Sequence, residues 1–328
     1  MLFNILLIGA GQLGSRHLQG LSKFPGDNFI YIIDPSEDSL RIAEARLNEV
    51  SERNLNNKYF FKKIITDLPA KINLTVIATN ADIRKNVLDE LITLTDVDNI
   101  VLEKFLFQTE SEFYETEELL NKKKINAWVN CPRRMYPEFI ELKNNLLNKK
   151  IKEINITGTN WSLGSNAIHF IDIFSFLLNS NEYTITDNFL LNHIFENKRP
   201  GFIEFNGKLK GRFKNNTFFN IACLPGNVAY IEIEILLEDE FYVIKQAEQK
   251  LLIQRRQNHK WVIDEKEFPV YFQSNLTNVA VKQILHDGRS ELPSYNESMK
   301  LHLPLLKVFT EQLRKIHNKI DIDRCPIT

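Results

Sequence analysis

The sequence has 328 residues, 43% of them hydrophobic and 25% charged, which points to two domains with a core each and excludes a disordered or fibrous chain. Lysine plus arginine total 41 against 42 acidic residues, a net charge of -1, so nothing supports nucleic-acid binding. Cys131, Cys223 and Cys325 are too scattered for a disulfide framework or a zinc site and fit a reducing cytoplasm. No stretch is apolar and uncharged for long enough to span a bilayer, since even "HFIDIFSFLL" carries Asp172.

In chain order, the apolar run Phe3 to Ile8 reads as a strand without a basic leader. It runs straight into "GAGQLG" and a helix over Gln12 to Phe24. In such a strand-turn-helix unit, Gly9 allows the tight turn, Gly11 lets backbone approach a pyrophosphate, and Gly14 lets helix and sheet pack closely. The amides at Gln12 and Leu13 open the helix, where its dipole favours an anion. A second strand, Phe29 to Ile33, ends in Asp34, the acid that the dinucleotide fingerprint requires about 20 residues on. Its carboxylate can accept from a ribose diol and would repel an additional phosphate, so NAD is expected over NADP.

A helix follows from Pro35, and strands are expected at Tyr59 to Ile65, Leu74 to Ala78 and Ile100 to Leu102, with helices near Ile83 to Leu94 and Ser111 to Lys123. This alternation implies a doubly wound parallel sheet covered on both faces, an N-terminal Rossmann domain over residues 1–125. From Asn126 a sixth strand reads as leaving the sheet, and Glu138 to Leu147 as a connecting helix. Residues 126–328 then read as an α+β domain with a large, mostly antiparallel open sheet for substrate binding and oligomerisation. Its runs "IKEINITGTNW", "GFIEFNGKLKGRF", "FFNIACL", "AYIEIEILLE", "EFYVIKQ", "KLLIQRR" and "KWVIDE" mostly alternate apolar and polar residues. Helices are expected at Ala167 to Leu178, Asn275 to His286 and Ser294 to Ile316, the final one a candidate to pack back on the first domain.

Several motifs stand in order along this frame: Gly9-Ala-Gly11-Gln-Leu-Gly14, then Ala78-Thr79-Asn80, Glu103-Lys104-Phe105, "PRRMYP" from Pro132, and "GSNAIHFIDIFSFLL" from Gly164. The set resembles the glucose-fructose oxidoreductase and inositol dehydrogenase (Gfo/Idh/MocA) family over nearly the whole chain. The resemblance implies that Thr79, Asn80, Glu103 and Lys104 border the cofactor. It makes Lys104 a cation on substrate oxygen, His169 the acid/base, and Asp172, one helical turn on, its orienting partner or a contact to a sugar hydroxyl. Oxidising a secondary alcohol needs such a base and a group that stabilises the developing alkoxide. The plain alternatives are a solvated lysine, a core histidine, and an aspartate paired with an arginine.

Two positions depart from the family pattern. Phe105 stands where proline, often after a cis bond, is usual. Ser165 stands where many members have an aspartate four residues before the histidine, so a relay built on that residue is absent. Arg84 stands where a histidine is frequent, as a cofactor contact or a surface cap. Arg133, Arg134, Tyr136, Trp161 and Asn166 are candidate substrate contacts. The adjacent arginines suit a carboxylate or diphosphate, or else ion pairs at a domain joint, and Trp161 suits a sugar face or the core. His17 is assigned to packing.

The reading is an NAD-dependent oxidoreductase acting on a hydroxyl or keto carbon of a sugar, cyclitol or nucleotide-sugar. Leu292 to Leu313 is similar to the closing helix of members associated with surface-polysaccharide biosynthesis. Two rivals share the motifs: a non-catalytic NAD or sugar sensor, and an epimerase or lyase that uses tightly held NAD transiently. The resemblance also implies a homodimer or homotetramer through the C-terminal sheet.

Overall fold

The computed structural model describes residues 2–328. The chain divides into two compact units, Met1–Phe107 with Ser111–Pro132 and Tyr271–Asn296, and Gln108–Glu110 with Arg133–Val270 and Glu297–Thr328.

The first unit begins with β1 (Asn4–Ile8), α1 (Gln12–Leu21), β2 (Phe29–Ile33), α2 (Glu37–Asn48) and β3 (Lys58–Lys62). It continues through β4 (Lys71–Ile72), β5 (Leu74–Ile77), α3 (Ala81–Leu94), β6 (Asp96–Val97), β7 (Asn99–Leu102), α4 (Glu110–Lys123) and β8 (Asn126–Val129). Six strands form one parallel sheet in the order β3-β2-β1-β5-β7-β8, while β4 and β6 make a separate short ladder. Ile5, Leu6, Leu7, Leu74, Val76 and Ile100 are buried, as strands covered on both faces require. The order reverses between β1 and β5, and such a reversal opens a crevice at the carboxyl ends of the strands.

Two boundary expectations are corrected. The segment from Asn126 does not leave the sheet: β8 pairs with β7 in register from Asn99↔Asn126 to Leu102↔Val129 and buries Trp128 and Val129, so residue 125 is no boundary. The helix that returns to this unit is α7 (Gln273–Asp287), while α8 (Tyr295–His317) belongs to the second unit from Glu297 on. A Cβ added to Gly20 of α1 would lie 2.6 Å from Thr277 Cβ on α7. The rings of Phe3 and Phe24 stand 5.9 and 5.6 Å from that of His286.

The second unit opens with a 3-10 turn over residues 132–135 and α5 (Pro137–Leu146), then β9 (Glu153–Thr159), α6 (Leu163–Leu178), β10 (Tyr183–Leu190), β11 (Phe195–Glu196) and β12 (Ile203–Glu204). It ends its strands with β13 (Gly207–Phe213), β14 (Phe218–Leu224), β15 (Tyr230–Leu236), β16 (Glu240–Lys245), β17 (Lys250–Gln257) and β18 (Lys260–Glu267). Eight of these form one sheet, β10-β13-β14-β9-β15-β16-β17-β18, antiparallel except for β14 with β9. Alternate residues such as Ile154, Ile156, Phe219, Ile221, Ile233 and Ile235 fill the covered face. β10 was not anticipated, because its polar middle and a bulge between Ile185 and Asp187 interrupt the alternation. Among the described residues no helix is long and apolar enough to cross a membrane.

Candidate functional site

In the first unit the site is a row. Register pairs Ile8 with both Ile33 and Ile77, Ile77 with Leu102, and Leu102 with Val129. The next residue of each strand is therefore Gly9, Asp34, Ala78, Glu103 or Asn130, side by side at the carboxyl edge of the sheet. Asp34 is fixed there, its carboxylate accepting from the amides of Ala10 at 2.7 Å and Ser36 at 2.9 Å.

The three glycines divide into two kinds. Gly9 has φ +93°, and a Cβ on it would meet the Ala78 carbonyl carbon at 2.9 Å; a Cβ on Gly14 would sit 1.8 Å from Gly9 O. Packing inside the protein demands both. Gly11 has an ordinary φ of -62°, and a Cβ there would meet nothing within 4 Å. Nothing in the chain's own packing calls for a glycine at this exposed position, but a dinucleotide pressed against the first turn of α1 would. That turn carries no acidic residue to compete with phosphate. Across the row, Thr79 Oγ1 is buried without a hydrogen-bond partner in the protein, and Asn80 caps α3 without a side-chain bond. Glycine cradle, fixed acid and orphaned hydroxyl all fit a nicotinamide dinucleotide.

Glu103 is 3% exposed. Its Oε1 meets His17 Nε2 at 2.7 Å and accepts from Asn130 Nδ2 at 2.5 Å, while His17 Nδ1 contacts Thr277 Oγ1 at 2.9 Å. Burial alone would raise its carboxyl pKa, yet the His17 bond and the charges of His17, Lys104 and Arg84 hold it below the ordinary value. Thus His17 packs, as expected, but as a partner of the Glu-Lys motif. Arg84 is buried too, donating to the carbonyls of Phe105, Leu106 and Thr79, so it ties the β5 and β7 exits together and is no surface cap. Lys104 is half-buried, and the Lys104–Phe105 peptide is cis although no proline stands there.

In the second unit α6 is buried along its whole length except at Asn166, His169 and Leu178. Asn166 and His169, three residues apart, share one face of the helix, so the two polar side chains expected to meet substrate are the ones its first three turns leave half-buried rather than fully buried. Asn166 Nδ2 also donates to Trp161 O at 2.8 Å.

Other candidates are corrected by their surroundings. Asp172, 1% exposed, is held by both arms of Arg134, with Nε to Oδ2 at 2.8 Å and Nη2 to Oδ1 at 2.7 Å. Both belong to a buried ion pair rather than to groups offered to substrate. Desolvation lifts the Asp172 carboxyl to about 6 against the pull of Arg134, with Glu297 adding to the rise. Trp161 is buried edge-on to Phe170 and donates to Ala222 O at 3.0 Å, and Tyr136 packs on Phe139, so both fill core. Arg133, half-buried with its guanidinium 4.7 Å from the Phe170 ring centroid, keeps its candidacy.

Sequence reasoning missed Glu204. Its carboxylate accepts from the Ser165 amide at 3.2 Å, from the Ser165 hydroxyl, and from Asn197 Nδ2 at 2.8 Å. Nothing in the local pattern of "GFIEFNG" announces a partner 39 residues upstream.

No known family profile and no curated protein matches this sequence. Solved structures do. UDP-N-acetylglucosamine 3-dehydrogenase GnnA from Acidithiobacillus ferrooxidans superposes with a TM-score of 0.74 at 12% identity over 94% of this chain and 96% of that one. An oxidoreductase from Agrobacterium radiobacter in complex with NAD+, L-tartaric acid and magnesium gives 0.69 at 12% identity over 92% and 94%. The chain has the Gfo/Idh/MocA fold. A super-repressor mutant of Gal80p from Saccharomyces cerevisiae gives 0.72 at 12% identity over 96% and 97%, so at this level of identity the Gfo/Idh/MocA fold is shared by dehydrogenase and repressor alike.

Proposed function

We propose that the protein is an NAD-dependent oxidoreductase that moves hydride between nicotinamide and a hydroxyl or keto carbon of a sugar, cyclitol or nucleotide-sugar. The observation that carries this reading is the strand-end row with Gly11, an exposed glycine that the chain's own packing does not require and that leaves the first turn of α1 open to a pyrophosphate. Gly9, Gly11, Gln12, Leu13 and Gly14 would cradle the pyrophosphate, Asp34 the ribose diol, and Thr79 and Asn80 the far side of the crevice. When bound, NAD supplies the hydride acceptor. Lys104 steadies the negative charge that develops on substrate oxygen, His169 takes or returns the hydroxyl proton, and Asn166 and Arg133 orient the substrate. Asp34 favours NAD over NADP, because a second phosphate at the ribose would face a carboxylate.

The GnnA and NAD+-complex likenesses support this class, and the closing-helix resemblance supports a role in surface-glycan biosynthesis. The buried cysteine thiols suit the cytoplasm. We further propose a homo-oligomer through the open face of the large sheet. By register, exposed Lys208, Lys210 and Arg212 form a basic stripe on one side of it, Glu232 and Glu234 an acidic one on the other, and exposed Phe218, Leu236, Trp261 and Ile263 share that face. Two copies turned by half a rotation would set each basic stripe on the partner's acidic one.

The test is a panel of sugars and nucleotide-sugars followed at nicotinamide absorbance. Lys104→Ala should lower kcat about 10²- to 10³-fold and His169→Ala about 10²- to 10⁴-fold; variants equal to the parent refute the assignment. Tighter binding of NADPH than NADH refutes the role of Asp34. The Gal80p likeness favours one other reading, a sensor, which predicts saturable NADH binding without turnover of any panel member. Stoichiometric NAD that survives purification, with no net NADH released, marks the epimerase or lyase.

A further inference from the structure

β12 is only two residues long, and its acid points away from its own ladder. Glu204, 6% exposed, reaches α6 instead: Oε2 accepts the Ser165 amide at 3.2 Å, and Oε1 accepts the Ser165 hydroxyl and Asn197 Nδ2 at 2.8 Å. Asn197 Nδ2 also lies 3.2 Å from Ser165 Oγ, closing a triangle of side chains. A carboxylate at this depth is costly unless hydrogen bonds replace its water, and the first turn of a helix offers spare amides and positive potential. Gly164 makes room for it, since a Cβ there would stand 3.0 Å from Glu204 Oε2 and 3.3 Å from Ile327 Cγ2.

Ser165 precedes His169 by four residues, which stacks the two side chains on one face of the helix with Cβ atoms about 6 Å apart. Glu204 is thus fastened to the turn before His169, and Asp172 stands on the turn after it. Asp172 is clasped on both oxygens by Arg134, whereas Glu204 is fastened to the helix itself.

We propose that Glu204 is the acid partner of His169, a positioning residue delivered in space, through Ser165, to a helical turn that carries no acid of its own. The proposal rests on the oxidoreductase reading. As hydride leaves the carbinol carbon, the hydroxyl proton passes to the His169 imidazole, which becomes a cation. The carboxylate of Glu204 holds the preceding turn in place and stabilises that cation across it.

The test uses the full-length protein and compares Glu204→Gln with the relocated acid, Ser165→Asp combined with Glu204→Gln. Four quantities are measured: kcat on the best panel substrate, NADH affinity, thermal midpoint, and the side-chain ¹⁵N signals of His169, assigned through His169→Gln. Glu204→Gln should lower kcat about tenfold or more, leave NADH affinity unchanged and displace the His169 signals, and relocating the acid should restore most of kcat. Parental kcat with unmoved His169 signals overturns the proposal. So does a kcat loss that relocation does not relieve while the His169 signals stay in place, which marks a purely structural cap. If the parent turns over no panel member, the oxidoreductase reading fails by itself. The His169 signals then decide on Glu204 alone: displacement supports the partnership, and identity with the parent ends it.

Discussion

At the end of β7, Glu103 sits among a histidine, an asparagine and two further cations; in the middle of α6, Asp172 sits in the fork of one arginine with Glu297 nearby. Both acids are almost fully buried, yet Glu103 is held below its ordinary pKa and Asp172 is lifted to about 6. Burial pushes both upward. In the first unit the row gathers enough donors and positive charge around the carboxylate to outweigh it, and in the second a single guanidinium does not. A buried motif acid is thus a fixed charge or a titrating one according to how many elements converge on it.

The sharpest way to break this contrast is Arg134→Met, which should cost about 3–5 kcal/mol in urea unfolding at pH 7.5 by stranding a buried charge. The loss should shrink at pH 5, where Asp172 keeps its proton; an equal loss at both pH values would show that charge is not what Arg134 balances. Because the folded-state pKa of Asp172 is raised, its own contribution to stability falls as pH rises from 3.8 to about 6.

Glu103→Gln should cost about 1.5–3 kcal/mol at pH 7 by weakening a charge-assisted network. With its folded-state pKa lowered, Glu103 contributes fully above its ordinary value and loses that contribution as pH falls toward the lower one. The gap between parent and variant in acid titration should therefore close below that range, the reverse of Asp172. Gly14→Ala should destabilise by about 1–3 kcal/mol, since α1 must move off Gly9. Gly11→Ala should change stability by no more than about 0.5 kcal/mol yet weaken NADH binding roughly tenfold. If both glycine variants lose stability alike, Gly11 is a packing residue after all.

What the sequence made legible follows the same division. Gly9, Asp34, Ala78 and Glu103 could be placed because each directly follows an apolar strand, and parallel pairing sets such neighbours in one row. Asn166 and His169 could be placed because they share a helix. Contacts made across long separations were not legible: Glu204 on Ser165, Arg134 on Asp172, and α7 on α1 pair residues that no local periodicity relates. β10 was hidden by its own polar centre, whereas β8 was legible as a strand and only its pairing with β7 was not.

The return of α7 has a consequence for how the chain is made. Thr277 and Gln273 belong to the cluster of His17, Glu103 and Asn130, yet a ribosome delivers them only after the whole large sheet has been translated. The nascent first unit must wait, its α1 flank and the glycine crowded against Thr277 uncovered, until the chain has passed residue 287. A fragment ending near residue 132 should therefore emerge as a sticky, chaperone-dependent species rather than as a ready-made nucleotide-binding module.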